Sequence, residues 1–133
     1  MDDEARADPA AGHFWHYTVD DDGQPHPAPD PFAWADWMAR ERRAPDGGRL
    51  RVARTEWPDG WHLSTVFLGM DYALGDPGPV LWETMSFPDH CFYGRYRSQR
   101  AALAEHDRLV TEIVIALDRP PVRDDRWIPP EER

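Results

Sequence analysis

Glu83 is the residue whose type and setting in this sequence most suggest chemistry. It lies in the run VLWETMSF (Val80–Phe87), where strand alternation places it on one face with three apolar residues. A carboxylate among apolar neighbours is costly to bury unless it is paired or protonated. Two interpretations stay open. Glu83 is either a functional carboxylate or a structural one, bonded to an arginine such as Arg95 or facing solvent while Trp82 and Thr84 point inward.

Asp71 and His90 are the other candidates for a polar pocket around Glu83. Asp71 follows the apolar run VFLGM, and side chains at strand ends lie at the rim of a sheet. Asp71 could join Glu83, His90 and His106 as ligands of a hard or borderline metal ion, but the spacing of these residues matches no ligand motif. A turn-forming role for Asp71 in DYALGDPG is the simpler interpretation. The pocket of Glu83, Asp71 and His90 is therefore an alternative enzyme or ligand-site hypothesis, with no metal or cofactor indicated.

Cys91 is the single cysteine of the chain, so it cannot form an internal disulfide. His90 precedes it, but a sequence neighbour seldom has the geometry to activate a thiolate, and no cysteine-enzyme signature surrounds the pair. The first twenty residues open with acidic residues and lack the apolar stretch of a secretory signal. These features predict a reducing, cytoplasmic setting.

Arginine and tryptophan residues supply the candidates for binding. Residues 40–54 contain six Arg and two acidic residues, and the chain has seven Trp, more than one small core easily buries. Both residue types are enriched at binding hot spots, so we predict a protein-binding surface around residues 40–61. Its predicted members are Trp57, Trp61, Arg49, Arg51 and Arg54. The alternative is that these arginines complement a helix end and protect an edge strand.

The net charge of the chain limits the functions it can have. The 133 residues carry a formal net charge of −10, of which −7 lies in residues 1–30. Residues 31–117 carry only −2, so the predicted folded body is nearly neutral. Net repulsion disfavours a generic DNA-binding protein, and a near-neutral body does not support an acidic mimic of nucleic acid. No apolar run is long enough to cross a membrane. A protein is therefore the expected partner.

The length and the order of elements predict one small domain. Residues 1–12 are predicted to be a disordered acidic leader, residues 13–117 a single folded domain, and residues 118–133 a Pro-rich irregular tail. A short strand is predicted over residues 13–20. The first helix is predicted to begin after Asp30, which serves as N-cap and is followed by a proline at the first helical position.

Three further strands and a second helix follow. Residues 49–57 and 61–70 flank the turn PDG and predict a hairpin, and residues 80–87 predict the next strand. Ser98 can cap a long helix with one broad apolar face, on which His106 borders the core. The order strand, helix, strand, strand, strand, helix predicts an α+β fold in two layers. Both amphipathic helices are expected on one face of a small antiparallel sheet.

Three segments of the chain resemble a set of small uncharacterised proteins of phages and prophages. They are STVFLGMD (Ser64–Asp71), PVLWETMSF (Pro79–Phe87) and RYRSQRAALAEH (Arg95–His106), of which STVFLG and ETM are the most specific. The resemblance covers about residues 15–117. One departure is Tyr72, where those proteins often have His. The resemblance implies a phage or prophage setting and no particular activity.

The sequence thus predicts a small phage-type accessory protein that acts by binding a protein, such as a host or bacterial defence factor. The motivating features are the resemblance, the Trp and Arg enrichment and the lack of a complete catalytic set. An exposed hairpin edge and spare aromatic surface also allow a homodimer. The competing hypothesis is an enzyme or small-ligand binder that uses the Glu83 pocket.

Overall fold

A five-stranded antiparallel sheet is the centre of the fold, as seen in a computed structural model that describes residues 15–72 and 78–129. The elements in chain order are β1 (Tyr17–Val19), β2 (Pro25–Pro27), α1 (Pro31–Arg43), a 3₁₀ segment (Pro45–Leu50), β3 (Arg51–Glu56), β4 (His62–Phe67), β5 (Trp82–Phe87), β6 (Phe92–Tyr96), α2 (Gln99–Leu117) and β7 (Arg123–Arg126). The large sheet has the order β6-β5-β4-β3-β7, and β1 pairs with β2 in a separate two-stranded sheet.

Both helices pack on the same face of the large sheet, which confirms the predicted two-layer α+β fold. Trp37 of α1 and Ala102 of α2 join one apolar cluster with Phe67 and Trp82 of the sheet. A second cluster lies further along α2, where Leu109 packs against residues of the β3–β4 hairpin. The opposite face of the sheet has no helix over it in the described part of the chain.

The helix starts follow from local capping. The Asp30 carboxylate accepts hydrogen bonds from the backbone N–H groups of Phe32, at 2.9 Å, and Ala33, at 3.4 Å, which confirms it as the N-cap of α1. The Ser98 hydroxyl accepts one from the Ala101 N–H at 3.0 Å and caps α2. The predicted hairpin is also present, because β3 and β4 pair antiparallel on either side of the turn PDG.

The region after residue 117 differs from the prediction. The irregular tail predicted for residues 118–133 is wrong at Arg123–Arg126, which forms β7 and pairs antiparallel with β3. Every residue of β7 is charged, so no apolar alternation marks it as a strand. Pairing with β3 and side-chain bonds to the body order it instead: Arg126 donates to Asp107 of α2 at 2.7 Å. The leader predicted for residues 1–12 lies outside the described residues.

His106 lies at the centre of the interface between α2 and the sheet, fully buried. Its Nδ1 is 2.7 Å from the Thr65 hydroxyl and its Nε2 is 2.8 Å from the Thr55 hydroxyl. The Thr55 hydroxyl donates a hydrogen bond to the Asp124 carboxylate at 2.9 Å. The Thr55 oxygen therefore accepts a hydrogen bond from Nε2–H of His106, and the unprotonated Nδ1 of His106 accepts one from the Thr65 hydroxyl. The predicted core-bordering histidine is therefore a hydrogen-bonded core residue.

Candidate binding surface

The sheet face opposite the helices, here called the open face, carries the site residues that the sequence placed on β5. The side chains of Leu63, Thr65 and Phe67 on β4 point toward the helices. The β4 residues between them point the other way, and so do the residues of β5 that lie opposite those. Trp82 and Thr84 are fully buried under the helices, and Glu83 is therefore on the open face. The open face also carries Arg54, Glu56, His62, Ser64, Val66, Met85, Phe87, Phe92 and Arg95.

Glu83 is paired with an arginine of the neighbouring strand. Its Oε2 accepts a hydrogen bond from Arg95 Nε at 2.8 Å, across the β5–β6 pair. Arg95 is the arginine that we predicted from the sequence as a partner of Glu83. The carboxylate is therefore a paired group on the uncovered side of the sheet, and its predicted pairing with Arg95 is confirmed.

Asp71 and His90 lie at opposite ends of the sheet and cannot both join Glu83 in one pocket. Asp71 follows the C-terminal end of β4, and its carboxylate accepts from the Val80 N–H at 3.0 Å, which holds the loop closed. His90 is exposed beyond the C-terminal end of β5, with its ring 5.1 Å from that of Phe87. These two strands are antiparallel, so their C-terminal ends lie at opposite ends of the sheet, about 17 Å apart for six residues. The hypothesis of a pocket formed by all three is wrong.

Arg95 lies at the centre of a cluster on the open face. Its guanidinium lies over the Tyr72 ring at 4.6 Å and over the Phe92 ring at 5.3 Å, in addition to its bond with Glu83. Phe92 is 54% exposed and Tyr72 is 48% exposed. An arginine stacked on exposed aromatic rings has the composition of a binding hot spot. We call these four residues, Tyr72, Glu83, Phe92 and Arg95, the Arg95 cluster.

Trp57 and Trp61 do not have the exposure that the predicted binding surface requires. The expectation that Trp57 is exposed is wrong: it is 1% exposed, and its indole N–H donates to the Arg119 carbonyl at 3.1 Å. The hairpin places it under α2, where it packs with Leu63. Trp61 is half-buried beside it, with ring centroids 5.5 Å apart.

The three predicted binding arginines occupy two different places. Arg54 is on the open face, where it donates to Glu56 at 2.7 Å. Arg49 and Arg51 line a cleft of about 500 Å³ between the 3₁₀ segment and residues 125–128, which include Trp127, and Arg51 also lies opposite Val66 of the open face in the β3–β4 register. The five predicted residues therefore do not form one continuous surface.

Two arginines of the cleft are already paired with carboxylates. Arg49 donates to Asp21 through Nε and to Glu41 through Nη1, both at 2.8 Å. Arg126 donates to Asp107 and Asp124. Because these guanidinium groups are already satisfied by carboxylates, the cleft offers less to a charged ligand than its arginine count suggests.

Gly48 is a cleft residue whose missing side chain leaves room for Glu41. It has φ 54° and ψ −140°, a conformation that glycine alone adopts readily. A Cβ there would lie 2.5 Å from Glu41 Oε1 and 2.9 Å from the Glu41 carbonyl oxygen. The same Glu41 carboxylate accepts from the Arg49 backbone N–H at 2.7 Å. The absence of a side chain at Gly48 thus lets Glu41 reach Arg49.

We expect Gly48→Ala to lower the free energy of unfolding by about 2 to 3 kcal/mol, because the backbone is strained and the Glu41–Arg49 contact is displaced. Gly60→Ala is the matched control: Gly60 also has positive φ, 91°, but nothing lies within 4 Å of its Cβ position. We expect about 1 kcal/mol for the control. Urea unfolding measures both values, and equal losses would contradict the role assigned to Gly48.

The described part of the chain shows neither a metal cluster nor a membrane-spanning helix, and no relative of the chain was recognised. Within residues 15–72 and 78–129, no group of three or more His, Cys, Asp or Glu side chains is arranged to hold a metal ion. No helix in that part of the chain combines the length and the apolarity needed to cross a membrane. Scans against protein-family models, curated proteins and solved structures found no significant match to the chain. The resemblance to phage and prophage proteins therefore stays a prediction.

Sequence reasoning missed two members of the Arg95 cluster. Phe92 lies in PDHCFYG, whose turn-forming residues predict a loop, whereas Phe92–Tyr96 forms β6. Tyr72 lies in the turn after β4 and reaches the cluster only through the fold. The signal that could have identified β6 is the density of aromatic residues in FYGRY, which is typical of strands.

Proposed function

We propose that this protein acts by binding another protein, and that the open face of its sheet is the contact surface. The observation that carries the proposal is the Arg95 cluster, in which one arginine is stacked on two exposed aromatic rings. Aromatic residues and arginine contribute most of the binding energy in many protein interfaces. The open face surrounds this cluster with half-buried apolar side chains, among them Val66, Met85 and Phe87.

The charges of the open face also suit a protein partner. Arg95 is paired with Glu83, and Arg54 with Glu56. The charged residues of the open face are therefore pairs of opposite sign, and the face is neither strongly positive nor strongly negative. Interfaces of non-obligate complexes have this pattern of an apolar centre with a polar rim. The predicted pocket of Glu83, Asp71 and His90 does not compete for the assignment, because Asp71 and His90 follow strand ends at opposite ends of the sheet.

The resemblance to phage and prophage proteins guides the choice of partner. A protein of that setting meets the proteins of a bacterial cell, so we propose a host or bacterial defence factor as the partner. The finer proposal is a small accessory protein in the bacterial cytoplasm that binds such a factor. The source of proteins for the first experiment is accordingly a bacterial lysate.

We expect the double substitution Phe92→Ala and Arg95→Ala to reduce capture of the partner at least tenfold, since each side chain is of a hot-spot type. The measurement is a quantitative pulldown from bacterial lysate, with captured proteins identified by mass spectrometry. Circular dichroism verifies that each variant is folded before it is used.

The matched control is Arg108→Ala with Ile115→Ala. Arg108 is likewise exposed and ion-paired, and Ile115 is likewise an exposed apolar residue, but both are on α2, which covers the other face of the sheet. We expect the control to capture the same proteins as the wild type. If all three proteins capture the same set in equal amounts, the open face is not the contact surface and the proposal fails.

A further inference from the structure

Resting on the proposed function, we infer that the partner contributes an extended segment that adds to the sheet beside β6, with an acidic residue opposite Arg95. β6 is one of the two edge strands of the large sheet. An edge strand leaves part of its backbone N–H and C=O groups unpaired, and extended peptides bind proteins by pairing with such edges. The same strand carries Phe92 and Arg95 of the Arg95 cluster.

The two edges of the sheet differ in how well they are protected. β7, at the opposite edge, has the sequence RDDR, in which every residue is charged and discourages pairing with another chain. β6 has the sequence FYGRY, with one charged residue and no carboxylate. A bulge at Tyr93, between Gly94 and Phe92 in the register with β5, interrupts the edge and places Phe92 on the same face as Arg95. The regular part of the edge, after the bulge, contains Arg95.

Arg95 specifies the charge of the incoming segment. Its bond to Glu83 uses Nε, and no second carboxylate of the described chain binds its two terminal nitrogens. The guanidinium group of arginine has five N–H donors and binds a carboxylate through two of them. Opposite charges directly across from each other also stabilise strand pairs. An acidic side chain on the added strand would use the donors that Glu83 leaves free.

The apolar neighbours specify the rest of the segment. Side chains of a strand alternate between its two faces. The added strand therefore has side chains on the open face, the face that carries Arg95 and Phe92, and these lie beside Phe92. Phe92 is 54% exposed and would be covered by an apolar side chain next to the acidic one. The inferred ligand is therefore an extended peptide in which β-branched or aromatic residues flank Asp or Glu.

A displayed library of random linear peptides tests this inference and does not require the partner to be identified first. The wild type is expected to select extended sequences with Asp or Glu between β-branched or aromatic residues. The key variant is the charge swap Glu83→Arg with Arg95→Glu, which keeps an ion pair on the open face but reverses the charge on β6. It is expected to select Lys or Arg at that position, with at least tenfold weaker binding of the acidic peptides.

The matched control is the swap Arg108→Glu with Glu112→Arg, which reverses an ion pair on α2. It is expected to select the same acidic peptides as the wild type. If the charge swap on the open face does not fold, Arg95→Gln replaces it and is expected to lose the preference for acidic residues. Hydrogen exchange of the wild type with a selected peptide should protect backbone amides of β6.

Failure of strand addition can be told apart from failure of the proposed function. Strand addition is overturned if no peptides are enriched, if the enriched peptides keep their charge preference in the swapped variant, or if protection lies away from β6. In those cases the pulldown decides about the proposed function. If capture of the partner still depends on Phe92 and Arg95, the open face remains the contact surface. If capture does not depend on them, the proposed function is also wrong.

Discussion

Replacing His106 with alanine is expected to lower the free energy of unfolding by about 4 kcal/mol. The substitution leaves a cavity beneath α2 and removes the hydrogen-bond partner of two buried hydroxyl groups, those of Thr55 and Thr65. Asp124 still accepts from Thr55 but cannot replace the imidazole. Urea unfolding monitored by far-ultraviolet circular dichroism measures the loss.

The control for His106 is an exposed histidine that has only a surface ion pair. His26→Ala removes a side chain that pairs with Asp20 at the surface, so we expect a change within about 0.5 kcal/mol. His106→Gln keeps part of the hydrogen bonding and should have an intermediate effect. A loss below about 1 kcal/mol for His106→Ala would mean that the buried chain of hydrogen bonds contributes little to stability.

The same histidine predicts how stability depends on pH. Burial, as the largest cause, lowers the pKa of His106 from 6.5 to about 4. Between these values the unfolded chain binds a proton that the folded protein excludes, so stability falls as the pH decreases from 6.5 to 4. The contribution is fully present above pH 6.5, and its loss reaches about 3 kcal/mol at pH 4. His106→Gln should lack this slope when both proteins are unfolded across the range.

Trp57→Ala is expected to cost about 4 kcal/mol, which makes it the second of the two largest effects. The indole is almost completely buried against Leu63 and Leu109, and its N–H donates to the Arg119 carbonyl. Truncation creates a large cavity and leaves a backbone carbonyl without its donor. Urea unfolding followed by far-ultraviolet circular dichroism is the measurement, since the mutation itself changes the tryptophan fluorescence.

Trp61→Ala is the matched control for Trp57, because the two rings are in contact and Trp61 is only half-buried. We expect about half the loss for Trp61. If Trp57→Ala leaves stability unchanged while it abolishes capture of the partner, Trp57 is a binding residue after all. A binding experiment that uses Trp57→Ala is otherwise confounded by unfolding.

The parts of the fold that could be predicted from the sequence are those determined by neighbouring residues. Asp30 and Ser98 each cap a helix through backbone groups two or three residues away, so their residue types and positions were sufficient. The turn PDG likewise determines the β3–β4 hairpin, since its strands are adjacent in the chain. Glu83 shows the limit of this reasoning. Strand alternation groups the residues of a face, but only the packing of helices decides which face is buried.

The remaining features depend on contacts between distant residues. β7 is a strand because β3 and α2 order it, and its fully charged sequence carries no periodic signal. The burial of Trp57 depends on α2 crossing the hairpin, about fifty residues later in the chain. The Arg95 cluster unites a turn residue, Tyr72, with two neighbouring strands. Such juxtapositions follow from topology and not from local spacing.

The position of Asp124 in the chain also has a consequence for the order in which this site can form. Four strands of the large sheet and α2 precede β7 in the chain, so they can pack together while the edge of β3 is still open. Thr55 then has no carboxylate to accept its proton, and the direction of the hydrogen bonds around His106 is not yet determined. Pairing of β7 with β3 therefore does two things: it covers the edge of β3, and it supplies the carboxylate that orients the hydrogen bonds of the buried histidine.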